Sequence, residues 1–213
     1  MIVLPHLRNR LRGPARFGWR DDRGAQLLEF ALALPLLVLF VVGIFDFSNA
    51  FTLKQKLTNI ARDAARVAAG EPASDLQSFS TSYPASVMDA FQDVDNYLLA
   101  NNINDCGISL SSGSASGLTW TFSADGNGCP TAGPNAGLTI VIDRGYYFPK
   151  IGATLPSAPC TPQNPGSQTA VIGTCVSIRY SYQWRFGRVA SLLGASQSLP
   201  NTITAAAVAM NEN

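Results

Sequence analysis

The sequence predicts an α+β fold, in which a long N-terminal helix packs on a small antiparallel β-sheet with one extra helix. Three observations carry this. An apolar run near the start passes directly into an amphipathic helical pattern, one later stretch repeats at helical spacing, and much of the remaining chain alternates apolar and polar residues. At 213 residues, 46% of them hydrophobic, the chain has room for one membrane helix and one modest globular domain. The expected division is a basic leader at 1–24, a long helix at 25–70 with its transmembrane part at about 27–47, and a β-rich domain at 71–213.

The formal net charge of +1 hides an asymmetry. Residues 1–24 carry six arginines against Asp21 and Asp22, a net +4, whereas 71–213 carry five positive and nine negative side chains, a net −4. No amphipathic period runs through the arginines, which are interrupted by Pro5, Gly13, Pro14 and Gly18. Next to an apolar run they read as a cytoplasmic leader by the positive-inside bias, not as a nucleic-acid site. The chain after Phe45 is then expected outside the inner membrane, periplasmic or extracellular.

From Phe30 to Phe45 there is no charged residue. With Leu27 and Leu28 the run reaches about 19 residues, enough for a helix to cross a bilayer core. Glu29 interrupts its start, where a carboxylate is costly unless it finds a partner. Pro35 removes one helical hydrogen bond and predicts a kink that membrane helices tolerate. A secretory signal peptide would end in a small-x-small site, for which Ser48 and Ala50 have the spacing, but it gives Glu29 no role.

Beyond Phe45, Leu53, Leu57, Ile60, Ala64 and Val67 recur at helical steps with Lys54, Lys56, Arg62, Asp63 and Arg66 on other faces. Gly70-Glu71-Pro72 supplies the stop. A helix from Ala25 to Ala69 would run about 67 Å.

Two stretches carry a family resemblance. The arrangement of a basic leader, Gly24, a carboxylate five residues on at Glu29 and an apolar helix resembles the processing site of type IV prepilins. Together with residues 56–69, Lys-Leu-Thr-Asn-Ile-Ala-Arg-Asp-Ala-Ala-Arg-Val-Ala-Ala, it resembles the TadE-like family, minor pilins or pseudopilins of the tight-adherence (Flp-type) pilus. The resemblance implies a pilin-like fold, cleavage by a prepilin peptidase between Gly24 and Ala25, and partners among other pilins, the assembly platform and the lipid bilayer. It also places a helix proline such as Pro35 early in the chain. One departure is Ala25, where major type IV pilins commonly have Phe.

The chemistry of the spacing stands independently. Cleavage would free an α-amino group at Ala25, largely protonated near neutral pH. Buried among packed helices, that amine and a carboxylate one turn along, on the same subunit or a neighbour, would each be unstable alone, so pairing would set the axial register.

Ser86-Val87-Met88-Asp89 has the form of a capping box, and Val87, Ala90, Phe91, Val94 and Leu98 line one helix face ending near Asn101. Asp89, Asp93 and Asp95 do not share a face and read as solvated, not as calcium ligands. Residues 118–123 and 138–148 read as strands, and Val176 to Phe186 alternates most clearly of all. Residues 201–210 permit a final strand or a helix. Ser111 to Gly117 lacks the lysine of a phosphate loop and reads as a hairpin connection, Asp125 to Gly128 reads as a turn, and Pro156 to Gly166 as an exposed loop.

Cys106, Cys129, Cys160 and Cys175 all fall in the outer part, where disulfides form. Of three pairings, Cys106 with Cys129 and Cys160 with Cys175 close the shortest loops and are expected. His6 is the sole histidine and would leave with the leader, and neither G-x-S-x-G nor Ser-x-x-Lys is present, so no enzyme, cofactor or metal is expected. The expected function is a minor pilin-like subunit of a pilus or related secretion filament. The alternative is a signal-anchored binding module with an uncleaved N-terminus.

Overall fold

The computed structural model describes residues 22–77, 83–129, 136–148, 159–160, 172–187 and 200–212. The leader before Asp22 and the Pro156 to Gly166 loop, apart from Pro159 and Cys160, lie outside the described residues. The chain divides into two compact units at Phe40/Val41.

Helix α1 runs without a break from Asp22 to Gly70, with Pro35 inside it. It therefore starts before Ala25, and the Gly24–Ala25 bond lies in its first turn. Pro35 leaves the carbonyl of Ala31 without its usual helical donor.

In the second unit, residues 57–69 of α1 bury Leu57, Ile60, Ala61, Ala64, Ala65, Ala68 and Ala69. Val67, expected in the apolar stripe, faces solvent, because the buried face is carried by alanines at 61, 65 and 68 that hydropathy ranks below valine. A short 3-10 turn (Ala73–Gln77) leads to α2 (Ala85–Ala100), which buries Val87, Ala90, Phe91, Val94 and Leu98. The capping box is not formed. The helix starts before Ser86, whose hydroxyl is buried without a partner, and the Ser86 N–H instead donates to Asp75 Oδ2 at 2.9 Å.

Among the described residues five strands form one antiparallel meander in the order β1 (Gly113–Ser116), β2 (Thr119–Ala124), β3 (Leu138–Tyr147), β4 (Ile172–Ser181), β5 (Thr202–Met210). The Ser111 to Gly117 stretch is thus mostly strand, and its turn is confined to Gly117-Leu118, with Gly117 at φ +59° as a two-residue hairpin demands. Asn127-Gly128, both at positive φ, form the turn expected there, closed by Cys129 N–H donating to Gly126 O at 3.0 Å.

Register explains the alternation. Trp120, Ile142, Val176 and Ala207 form one rung across the sheet, and Phe122, Ile140, Ile178 and Ala205 the next. These rungs face α1 and α2 in a single core. Cys106 and Cys129 pair within it, whereas Cys160 and Cys175 pair on the opposite face beside Tyr146, with Cα separations of 5.4 and 5.3 Å. The strand at 176–186 stops at Ser181, so Tyr182, Trp184 and Phe186 do not extend the core pattern.

Candidate functional site

The apolar segment of α1 has its side chains in the open. Leu27, Leu28, Phe30, Leu32, Leu37 and Phe40 are all exposed, as is Glu29, and a Cβ on Gly24 would meet nothing. Ala25 and Glu29 stand one turn apart and share a helix face. Pro35 lies farther along, and no described contact joins it to Gly24, Ala25 or Glu29. Among the described residues α1 is the one helix long and apolar enough to cross a membrane, with an 18-residue stretch of mean hydropathy 2.6.

A second feature went unread in the sequence. Asp46, the first charge after the apolar run, is 3% exposed. Tyr182 donates its hydroxyl proton to Asp46 Oδ1 at 3.0 Å, with Asp46 O also within 3.1 Å, and the Phe186 N–H donates to Oδ2 at 2.9 Å. Burial, reinforced by the bond to Asp46 and its charge, pushes the Tyr182 phenol up to about 12. Trp184 packs at a tilt against Phe47 (centroids 5.0 Å) and edge-on against Tyr182 (4.9 Å), and its Nε1–H donates to Pro200 O at 2.6 Å. Gly43 makes room, since a Cβ there would lie 3.2 Å from the Phe186 ring. Residues 182–186 thus form a strap across α1. An acid directly after a charge-free run was the available signal, but its donors come from a segment far away in sequence.

A family model described as TadE-like protein matches residues 24–66. Over these residues α1 is similar to the TadE-like family. The match points to a pilus-associated protein. No curated protein and no solved structure matches the chain.

The TadE-like segment contains Gly24, Ala25, Glu29, Pro35 and Asp46, and it stops shortly before α1 does. The helix end is closed by a residue from outside it. Arg144, 1% exposed, donates from Nη1 to Ala68 O and to Thr174 Oγ1 (3.1 Å) and from Nη2 to Glu71 O (3.0 Å). A cation at the carbonyl end of a helix also opposes the helix dipole. The register of β3 shifts between Asp143 and Tyr146, and this bulge turns Arg144 toward the helix end. A Cβ on Gly145 would come within 2.9 Å of Leu118 Cδ1, so a side chain there would have to displace that leucine. Burial lowers the Arg144 pKa and raises that of neighbouring Asp143, whose Oδ1 accepts from Gly145 N–H at 2.9 Å.

Other chemistry is sparse. Among the described residues no group of His, Cys, Asp and Glu could hold a metal ion. Among the described residues, open grooves run along α1, such as one of about 320 Å³ lined by Arg62, Arg66 and residues 206–209.

Proposed function

We propose that the chain is a minor pilin-like subunit for assembly of a tight-adherence pilus or a related secretion filament. It sits in the inner membrane as a single-pass protein, N-terminus in the cytoplasm and β domain outside. A prepilin peptidase removes the leader after Gly24. The apolar half of α1 then joins other pilins or pseudopilins at the assembly platform, with the new Ala25 amine and Glu29 setting register.

One observation carries this reading: a TadE-like segment whose apolar side chains from Ala25 to Phe45 are largely uncovered and whose only charge in that stretch is Glu29. Between helices in lipid the hydrophobic drive is weak, so a buried ion pair at one fixed height decides alignment more than apolar packing does. N-terminal sequencing of the membrane-extracted protein, made with and without a prepilin peptidase, tests the processing step. A chain starting at Ala25 with the peptidase alone supports it, and an uncut terminus in both leaves the signal-anchored binding module. Glu29→Gln is expected to be processed normally yet fail to co-purify with partner pilins. Normal incorporation of that variant overturns the register role.

A further inference from the structure

We propose that Phe45, Phe47 and Phe51 of α1, together with Trp184 of the strap, form a seat for the lipid headgroup layer that holds the β domain against the outer bilayer surface. This rests on the membrane reading above and adds where the bilayer ends.

The first argument is Asp46. A carboxylate at the end of a membrane span either reaches water or is withdrawn from lipid. Here it is withdrawn: both oxygens accept hydrogen bonds from the strap, and the side chain is buried in protein. Such shielding is of little use in open water, where an aspartate is well solvated, and is what contact with lipid demands. Its neighbours Phe45 and Phe47 remain exposed, as do Ile44 and Phe51. The carboxylate is thus hidden and the aromatic rings displayed, the reverse of an ordinary soluble surface.

The second argument is length. Phe45 to Phe51 covers about 9 Å of helix at 1.5 Å per residue, comparable with the roughly 5–8 Å of headgroup layer on one side of a bilayer. Counting back from Phe45, the helix reaches Ala25 after about 30 Å, equal to the hydrocarbon thickness of about 30 Å. A boundary at the aromatic seat therefore leaves Ala25 at the opposite interface and Glu29 about 6 Å inside it. Trp184 suits the position because its ring lies on Phe47 while its indole N–H is held by Pro200 O, an amphipathic group of the kind enriched at membrane interfaces. The strap thereby does two things at once: it satisfies Asp46 and adds the indole to the ring of phenylalanines.

The test uses the full chain in phosphatidylcholine–phosphatidylglycerol nanodiscs whose acyl chains carry bromine near the headgroup or near the bilayer centre. Trp184 fluorescence is taken as the difference between wild type and Trp184→Phe, which removes Trp19 and the buried Trp120 from the signal. Shallow bromine is expected to quench this component at least about twofold more than deep bromine, and Phe51→Trp in the Trp184→Phe background to behave likewise. Leu34→Trp in the same background marks the span and is expected to be quenched mainly by deep bromine. Deep quenching of the Leu34→Trp chain with no quenching of Trp184 or of the Phe51→Trp chain overturns the seat and leaves the membrane helix standing. Absence of quenching in all three overturns the membrane reading as well. If Trp184 is quenched only in discs holding one copy and shielded in discs holding several, the surface is an interface between copies and the lipid seat is wrong.

Discussion

The two ends of the domain-bound part of α1 are both fixed by buried charges, but by opposite means. At the far end, Arg144 enters from a β-bulge and serves the carbonyl of Ala68 in the last turn and that of Glu71 just past it. At the near end, Asp46 belongs to the helix itself and is served by donors from a strap outside the sheet. Arg144 is surrounded by the core and by the chain's C-terminal residues, with Thr174 donating to Asn211 Oδ1 at 2.7 Å and Asn211 Nδ2 facing Arg144 O at 3.4 Å. Asp46 sits at the rim, among exposed phenylalanines. The difference teaches that the first fastening belongs to folding of the domain and the second to where the domain stops and the apolar segment begins.

Removing the deeper fastening has the largest expected effect. Arg144→Ala leaves the Ala68 and Glu71 carbonyls and Thr174 without their donor, and is expected to cost on the order of 3 kcal/mol in urea unfolding of the detergent-solubilised chain. Arg144→Lys is expected to recover less than half, since one ammonium cannot reach both ends of the fork.

At the rim the effect is smaller and local. Tyr182→Phe leaves Asp46 with the Phe186 N–H and is expected to cost about 1 kcal/mol. Hydrogen exchange at the Tyr182 to Phe186 amides should rise while β3 and β4 stay protected. Because the two fastenings share no partner, Arg144→Ala and Tyr182→Phe should add within about 0.5 kcal/mol. A clear departure would mean that the ends communicate through the helix.

The smallest effect is in pH. Burial raises the Asp143 carboxyl above its ordinary value, with hydrogen bonds from Gly145 and Thr119 opposing, and burial raises Asp93 and Asp95 too, with Asp63 and Asp105 adding to the shift. A carboxyl whose folded pKa is raised holds its proton more tightly in the native state, so its contribution is fully present below the unfolded value and is lost as pH rises through the folded one. Stability from these groups should decline from roughly pH 4 towards neutrality. Asp143→Asn is expected to flatten that decline, as read from urea midpoints across the range.

Much of this was legible in advance. The apolar run, the amphipathic continuation and α2 follow from spacing alone, because hydrophobic side chains must share a face to be buried together. The preferred cysteine pairs follow from loop length. Less legible were features in which one residue serves two distant segments. Val176 to Phe186 reads as a single period, yet Tyr180 lies in the core and Tyr182 on Asp46, since the alternation records apolarity and not the surface that receives it. Strand β1 was hidden because Gly113-Ser114-Ala115-Ser116 has weak strand preference and is held by pairing with β2. Ser86 offered a cap that its own burial cancelled.

The sequence by itself determined that one helix carries both an apolar and an amphipathic half, that a single carboxylate stands five residues after Gly24, and that a two-period sheet follows. These are properties of neighbouring residues, fixed by helical and strand geometry. Only the tertiary structure decided which donors reach Asp46, which carbonyls receive Arg144 and where the aromatic strand leaves the sheet. Buried charges choose their partners across the fold, because a buried polar group must be satisfied by whatever the packed chain brings within hydrogen-bond reach.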